Sequence, residues 1–214
     1  MPLLLALTSL KYMPIDFDYF SSVLASVARD LSADQIIFEG LLSNAKSKQK
    51  LSTIILRNKI NTDVLSQLTY IAQNLSASQM QSVSLIKAIE QSTNTFDSKT
   101  LNFKLDRNKP LLDVLADQSI LVATLKVIFC LLKLENPKNK NIDISFRRRG
   151  GYVSMRIVGA NAESNIAYLD DVIGLLNTIF LIYGAKSDWR LQSHKRVVFI
   201  RLYLAKQITL GYNN

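Results

Sequence analysis

The sequence predicts an α+β protein: a long helical hairpin in the first half, then helices packed on a mixed or antiparallel sheet. Three observations carry this. Apolar residues recur at three- and four-residue steps across most of the first hundred positions, two pairs of alternating segments follow residue 140, and a strongly apolar helical stretch precedes each pair.

From Asp16 to about Leu31 the residues Phe17, Phe20, Leu24, Val27 and Leu31 describe a short amphipathic helix with Asp16 as its cap. A much longer helix follows from Ser32 or Asp34 to Asn74. Its stripe runs through Ile37, Leu41, Leu42, Leu51, Ile54, Ile55, Ile60, Val64, Leu65, Leu68 and Ile71, and no Pro or Gly interrupts it after Gly40. Such a stripe needs another helix to cover it, often one from a second chain. NLSAS breaks the pattern, and Met80, Val83, Leu85, Ile86, Ile89 and Phe96 form a helix running back along the first. LNFKL reads as a strand, and Pro110 opens a short helix ending near Leu115.

Asp117 then sits at the N-cap of ILVATLKVIFCLLKL, which is apolar nearly all round and so expected to be buried on most sides. The polar NPKNKN stops it. NIDISF and YVSMRIV alternate as half-buried strands around an RRRGG turn. YLDDVIGLLNTIFLIYG is a helix stopped by Gly184, and WRLQ and RVVFIRLYLA form a second strand pair around SHK. The organisation expected is an N-terminal segment over 1–33, a dimerising hairpin over 34–99 and an α/β sandwich over 100–214.

With 214 residues, 48% of them apolar, the chain has enough material for a sizeable core. Its one cysteine, Cys130, excludes an intramolecular disulfide, and the setting VIFCLLKL marks a buried, inert thiol compatible with a reducing cytoplasm. MPLLLALTSLKYM has no basic residue before its apolar run and no small-residue cleavage site, so no signal peptide is expected. Nor is a membrane span, since no stretch approaches the ~20 apolar residues one requires. A net charge of +9 and a pI near 9.6 favour acidic partners.

Motifs of catalysis are missing. No Gly-x-Ser-x-Gly elbow, phosphate loop or dinucleotide fingerprint occurs. The only histidine, His194, falls in a turn, and Asp170 and Asp171 read as first-turn carboxylates of a helix instead of an acid and base pair. Neither a metal nor a cofactor site is expected, and no enzyme. The basic clusters are the Arg147, Arg148 and Arg149 hairpin tip, the turn residues Lys195 and Arg196, and the loop residues Lys138 and Lys140. Charge runs are ordinarily solvated surface, but the Arg tip and the Lys loop flank one strand pair and are expected to merge into one positive patch.

This order of elements resembles the core of a sensor histidine kinase, a dimerisation and phosphotransfer hairpin followed by a Bergerat-type ATP-binding domain, over roughly residues 34 to 206. LRNKINTDVL is similar to the family's histidine box, with Asn58 in place of the phosphorylated His, Lys59 of the acid, Ile60 of the Leu, Thr62 of the Thr and Asp63 of the Pro. SLIKAIEQSTNTFDSKTLNFKLDRNKPLLDVLADQ is similar to the second helix and the link onward. The resemblance puts the magnesium-binding Asn at Leu131, its companion at Val127, the adenine-binding Asp near Gly159 and the following Gly near Asn161. It also puts Asp170 and Asp171 where a glycine-rich lid belongs, and keeps only Gly184 of the terminal Gly motif.

Leucine offers magnesium no oxygen, and paired carboxylates repel a triphosphate. The resemblance therefore implies a histidine-kinase-like pseudokinase that forms a homodimer through its hairpin and docks a response-regulator receiver domain or a histidine kinase. Arg57, Asn58, Lys59, Asn61 and Thr62 would face the acidic receiver pocket. A second reading, of a different class, is a basic nucleic-acid-binding protein acting through its Arg and Lys turns. A third is a histidine phosphotransferase-like protein with a divergent site.

Overall fold

A computed structural model describes residues 17–42, 48–94, 96, 102–105, 112–135, 141–161 and 166–205. Helix α1 spans Phe17–Leu42 and α2 spans Lys48–Asn74. The break expected near Ser32 is absent: the Ser32 hydroxyl donates to the carbonyl of Ala28 at 3.0 Å, so it serves the helix instead of capping a new one. The interruption comes later. α1 is described to Leu42 and α2 from Lys48, and Arg57 and Asn61 of α2 reach Asp30 of α1, so the single helix expected over 34–74 is two helices packed side by side. The sequence carried a sign of this, because the stripe has no apolar member between Leu42 and Leu51 except Ala45. Consequently the hairpin consists of α1 packed on α2, and the expected boundary between residues 33 and 34 falls inside α1.

A 3-10 turn at Leu75–Ala77 leads to strand β1 (Gln81–Ser84) and the short helix α3 (Leu85–Thr93), where one returning helix over 80–96 was expected. β1 pairs antiparallel with β3 (Asp113–Ala116), in register Val83 to Val114. The helix expected to end near Leu115 is thus a strand. Leu112, Val114 and Ala116 are buried alternately, so the period of two outweighs the start signal of Pro110, which itself lies outside the described residues. β2 (Asn102–Leu105) forms as expected.

Helix α4 (Gln118–Glu135) is capped by Asp117. One carboxylate oxygen accepts from the amides of Ser119 and Ile120 at 3.0 and 3.1 Å, and the other accepts from the amide of Gln79 at 2.9 Å. From Ile120 onward every residue except Val122 and Lys126 is buried. β4 (Asn141–Arg149) and β5 (Tyr152–Asn161) follow, then α5 (Leu169–Ile182), which stops at Gly184 with φ +65°. β6 (Lys186–Gln192) and β7 (Lys195–Tyr203) close the chain. The five-stranded sheet has the order β2-β4-β5-β7-β6, with β2 parallel to β4 and every other pair antiparallel, the mixed sheet the pattern anticipated.

α4 packs on β5 and α5 on β6, covering the face that carries Ile144, Phe146, Met155, Ile157, Ile200 and Leu202. At Gly159 a Cβ would stand 2.9 Å from Leu132 Cδ2, so the missing side chain sets how closely α4 approaches the sheet. The hairpin joins the same core. Ile60, Val64, Leu68 and Ile71 recur along α2 and are buried, and α2 packs extensively on α4. One cluster of buried side chains runs from Phe20 to Leu204.

Candidate partner-binding site

The segment expected to meet a partner lies in α2, the second helix of the hairpin, whereas the resemblance placed its histidine-box counterpart on the first. Its residues divide by face. Asn61 is wholly buried: its side-chain oxygen accepts from the Tyr168 hydroxyl at 2.6 Å and its amide donates to Asp30 at 3.3 Å. Arg57 pairs with the same carboxylate at 2.9 Å. A buried polar network therefore links α1, α2 and the start of α5, and Asn61 has no surface to present. This corrects the expectation for Asn61 and commits Arg57 to an intrachain ion pair. The sequence held no sign of it, because Tyr168 is 107 residues from Asn61.

Lys59 and Thr62 are exposed, the latter donating to the Asn58 carbonyl at 2.9 Å. Asn58 is half-buried, and its side-chain oxygen is buried with no hydrogen-bond partner among the described residues. A second clasp fastens α1 to α5. The Tyr19 hydroxyl donates to the Asp171 carbonyl at 2.9 Å, and a Cβ at Gly174 would lie 2.5 Å from that hydroxyl. Asp170 and Asp171 occupy the first turn of α5 and are exposed, as their sequence context indicated.

The positions singled out for nucleotide binding are packed. Val127 and Leu131 are both 0% exposed within α4, and Gly159 is buried beneath Leu132. Cys130 is buried beside them, and burial pushes its thiol far above the ordinary range, which leaves it inert. Among the described residues no cluster of His, Cys, Asp and Glu could hold a metal ion.

A polar cavity of about 690 Å³ opens between α2, β1 and the start of α4, lined by Gln67, Gln79, Gln81, Gln118, Asp117 and Lys126 among others. Burial alone would raise the Asp117 carboxyl. Hydrogen bonds from the Ser119 hydroxyl and from the amides of Gln79, Ile120 and Ser119 outweigh it and hold the carboxyl below its usual value. An anion so engaged is a cap and a poor proton acceptor.

The expected patch joining the arginine tip to Lys138 and Lys140 involves two residues that lie outside the described ones. Arg147, Arg148 and Arg149 belong to the end of β4, and the turn is Gly150, with φ +53°, and Gly151. Lys195 lies at the opposite end of the sheet, paired with Asn161 and Gln192. Arg196 points the other way and is engaged: its guanidinium grips Glu135 at 2.7 and 3.0 Å, with Glu135 only 2% exposed. His194 sits exposed in the β6–β7 turn at φ +64°.

Two solved histidine kinases are similar in fold. The Acinetobacter baumannii histidine kinase AdeS is 14% identical with a TM-score of 0.52, covering 82% of this chain and 98% of that one. The histidine kinase ThkA, solved in complex with the response regulator protein TrrA, is 15% identical with a TM-score of 0.54, covering 89% of this chain and 64% of that one. No protein-family model and no curated protein matches the sequence. At this identity the likeness establishes a histidine-kinase-like α+β fold. No described helix is long and apolar enough to cross a membrane.

Proposed function

We propose that this chain is a non-catalytic histidine-kinase-like protein, a cytoplasmic dimer that holds a response-regulator receiver domain or a kinase partner without turning over ATP. One observation carries the reading: Val127 and Leu131, where the resemblance puts the asparagines that serve the magnesium nucleotide, are apolar and wholly buried. They offer no ligand oxygen. Phosphoryl transfer is chiefly positioning and charge neutralisation, so a site without metal ligands has little left to work with. The acceptor is missing as well, since the sole histidine of the chain stands at the sheet edge and neither hairpin helix carries an imidazole.

The partner surface is the exposed side of α2 around Lys59 and Thr62, with Asn58 beside them. A cation and a hydroxyl there complement an acidic receiver pocket. ThkA bound to a response regulator supports that class of partner. Towards the loop end of the hairpin Ile36, Ile37 and Ile55 are 72, 52 and 51% exposed, an apolar surface for a second copy to cover.

Calorimetry with ATP and magnesium, calorimetry with receiver domains, and light scattering test the reading together. Expected are no nucleotide heat, saturable receiver binding weakened about tenfold by Lys59→Glu, and a dimer that Ile37→Glu with Ile55→Glu dissociates. Saturable nucleotide binding or ATP hydrolysis would overturn the non-catalytic part. A monomer that captures no receiver would overturn the rest.

A further inference from the structure

We propose that the uncovered face of the five-stranded sheet is a binding platform for single-stranded nucleic acid. Strand register places the outward side chains in rows. Arg149 lies beside Tyr152 and Tyr203, Arg147 beside Ser154, Arg201 and Lys186, and Ser145 beside Arg156, Phe199 and Asp188. Along these rows Arg147, Arg149, Arg156, Lys186, Arg201 and Tyr203 are exposed, while Val158 and Val197 in the next row are buried and bound the platform, and Met155, Ile200 and Leu202 point to the opposite side.

Charge on the platform is one-sided. Arg147, Arg149, Arg156, Arg201 and Lys186 form no ion pair among the described residues. Of the two carboxylates on the face, Asp188 is taken by Arg190 at 2.5 Å and Asp143 stands at the far end of β4. Three aromatic rings lie among the cations. The Arg201 guanidinium carbon stands 4.5 Å from the Tyr152 ring centre, and those of Arg190 and Arg156 stand 5.5 and 6.0 Å from the Phe199 ring centre. Tyr203 is 39% exposed. Two shallow depressions of about 330 and 340 Å³ adjoin across this surface and share Ser154, Phe199 and Arg201.

Guanidinium groups spaced between exposed rings suit alternating phosphates and unstacked bases. The arginines take the backbone and the rings take base faces, with no need for a particular sequence. A duplex keeps its bases stacked and denies the rings a partner. An acidic protein surface would meet the charge and leave the rings unused. The platform lies across the sheet from the helices and does not depend on the receiver-binding reading.

The test is fluorescence anisotropy of the full chain with labelled oligo(U) and oligo(dT) of about 12 nucleotides, against a duplex of equal length. Between about 50 and 200 mM salt, some four phosphate contacts give a slope of log K against log salt near −3. Arg147→Gln with Arg201→Gln should halve that slope. Tyr152→Ser with Tyr203→Ser should weaken binding about tenfold while leaving the slope unchanged. Receiver binding should be unaffected by either pair. Should a pair lower the unfolding midpoint, Lys186→Glu at an exposed edge position reads out the same charge dependence. The proposal fails if single strands do not bind at low salt, if duplex binds as tightly, or if the tyrosine pair changes nothing. It fails equally if phosphatidylserine vesicles or poly-glutamate bind as well at matched salt.

Discussion

Replacing Arg196 with Met should be among the most damaging single changes to this protein, although a sequence reading places the residue in a solvated turn. Glu135 is 2% exposed and Arg196 is 20% exposed, joined through contacts of 2.7, 3.0 and 3.3 Å. Methionine keeps much of the volume and removes the counter-charge, which strands a carboxylate in the core at the C-terminal end of α4. The helix dipole is unfavourable to an anion there. Breaking a buried pair from one side costs about 3 to 5 kcal/mol, and partial solvent access through the Arg196 side places this case near the lower end, about 3 kcal/mol. For a chain of this length that lowers the melting temperature by about 6 to 12 °C. Removing both partners, Glu135→Leu with Arg196→Met, leaves no orphaned charge and should return stability to within about 1 kcal/mol of the parent. Urea unfolding followed by circular dichroism, at unchanged m-value, measures all three variants. A single variant costing under about 1 kcal/mol, or a double variant as unstable as the single, would refute the reasoning.

Tyr168→Phe leaves the buried Asn61 oxygen without its donor and should cost about 1 to 3 kcal/mol, coupled to Asn61→Leu in a double-mutant cycle; additive losses would show the hydrogen bond to be idle. Asp117→Ala should cost about 1 to 2 kcal/mol at neutral pH by uncapping α4. Because the folded-state carboxyl is held below its unfolded value, this stability is fully present above the unfolded pKa and is lost as pH falls through the folded one; parent and variant should therefore converge in acid, and a constant gap would contradict the assignment. Ser193 and His194 both occupy the left-handed region, with φ of 48° and 64°. Ser193→Asn with His194→Gly should stabilise the β6–β7 hairpin by about 1 kcal/mol, and unchanged thermal unfolding would argue against strain there.

The sandwich was legible because its signals are local. Alternation in NIDISF, the Asp117 cap and the Gly184 stop each act within a few residues, and each stands where the sequence put it. The hairpin was misplaced because helical period carries no phase across a polar gap, so the stripes on either side of SNAKS read as one helix. β1 and β3 are four residues each and owe their existence to pairing with one another, which leaves little periodicity to detect. The candidate site fared similarly. Lys59 and Thr62 point outward on α2, but only the fold brings Tyr168 onto Asn61 and Glu135 onto Arg196. The aromatic and arginine rows across β4, β5 and β7 were equally hidden, since each strand contributes two or three members and register assembles them.

Because the α2 stripe is seated on α4, the hairpin is no detachable arm. Melting should be a single event, with the fluorescence of Trp189 in β6 and the helical signal at far-ultraviolet wavelengths vanishing together. An excised piece covering α1 and α2 would bare Ile60, Val64, Leu68 and Ile71 to water and clump.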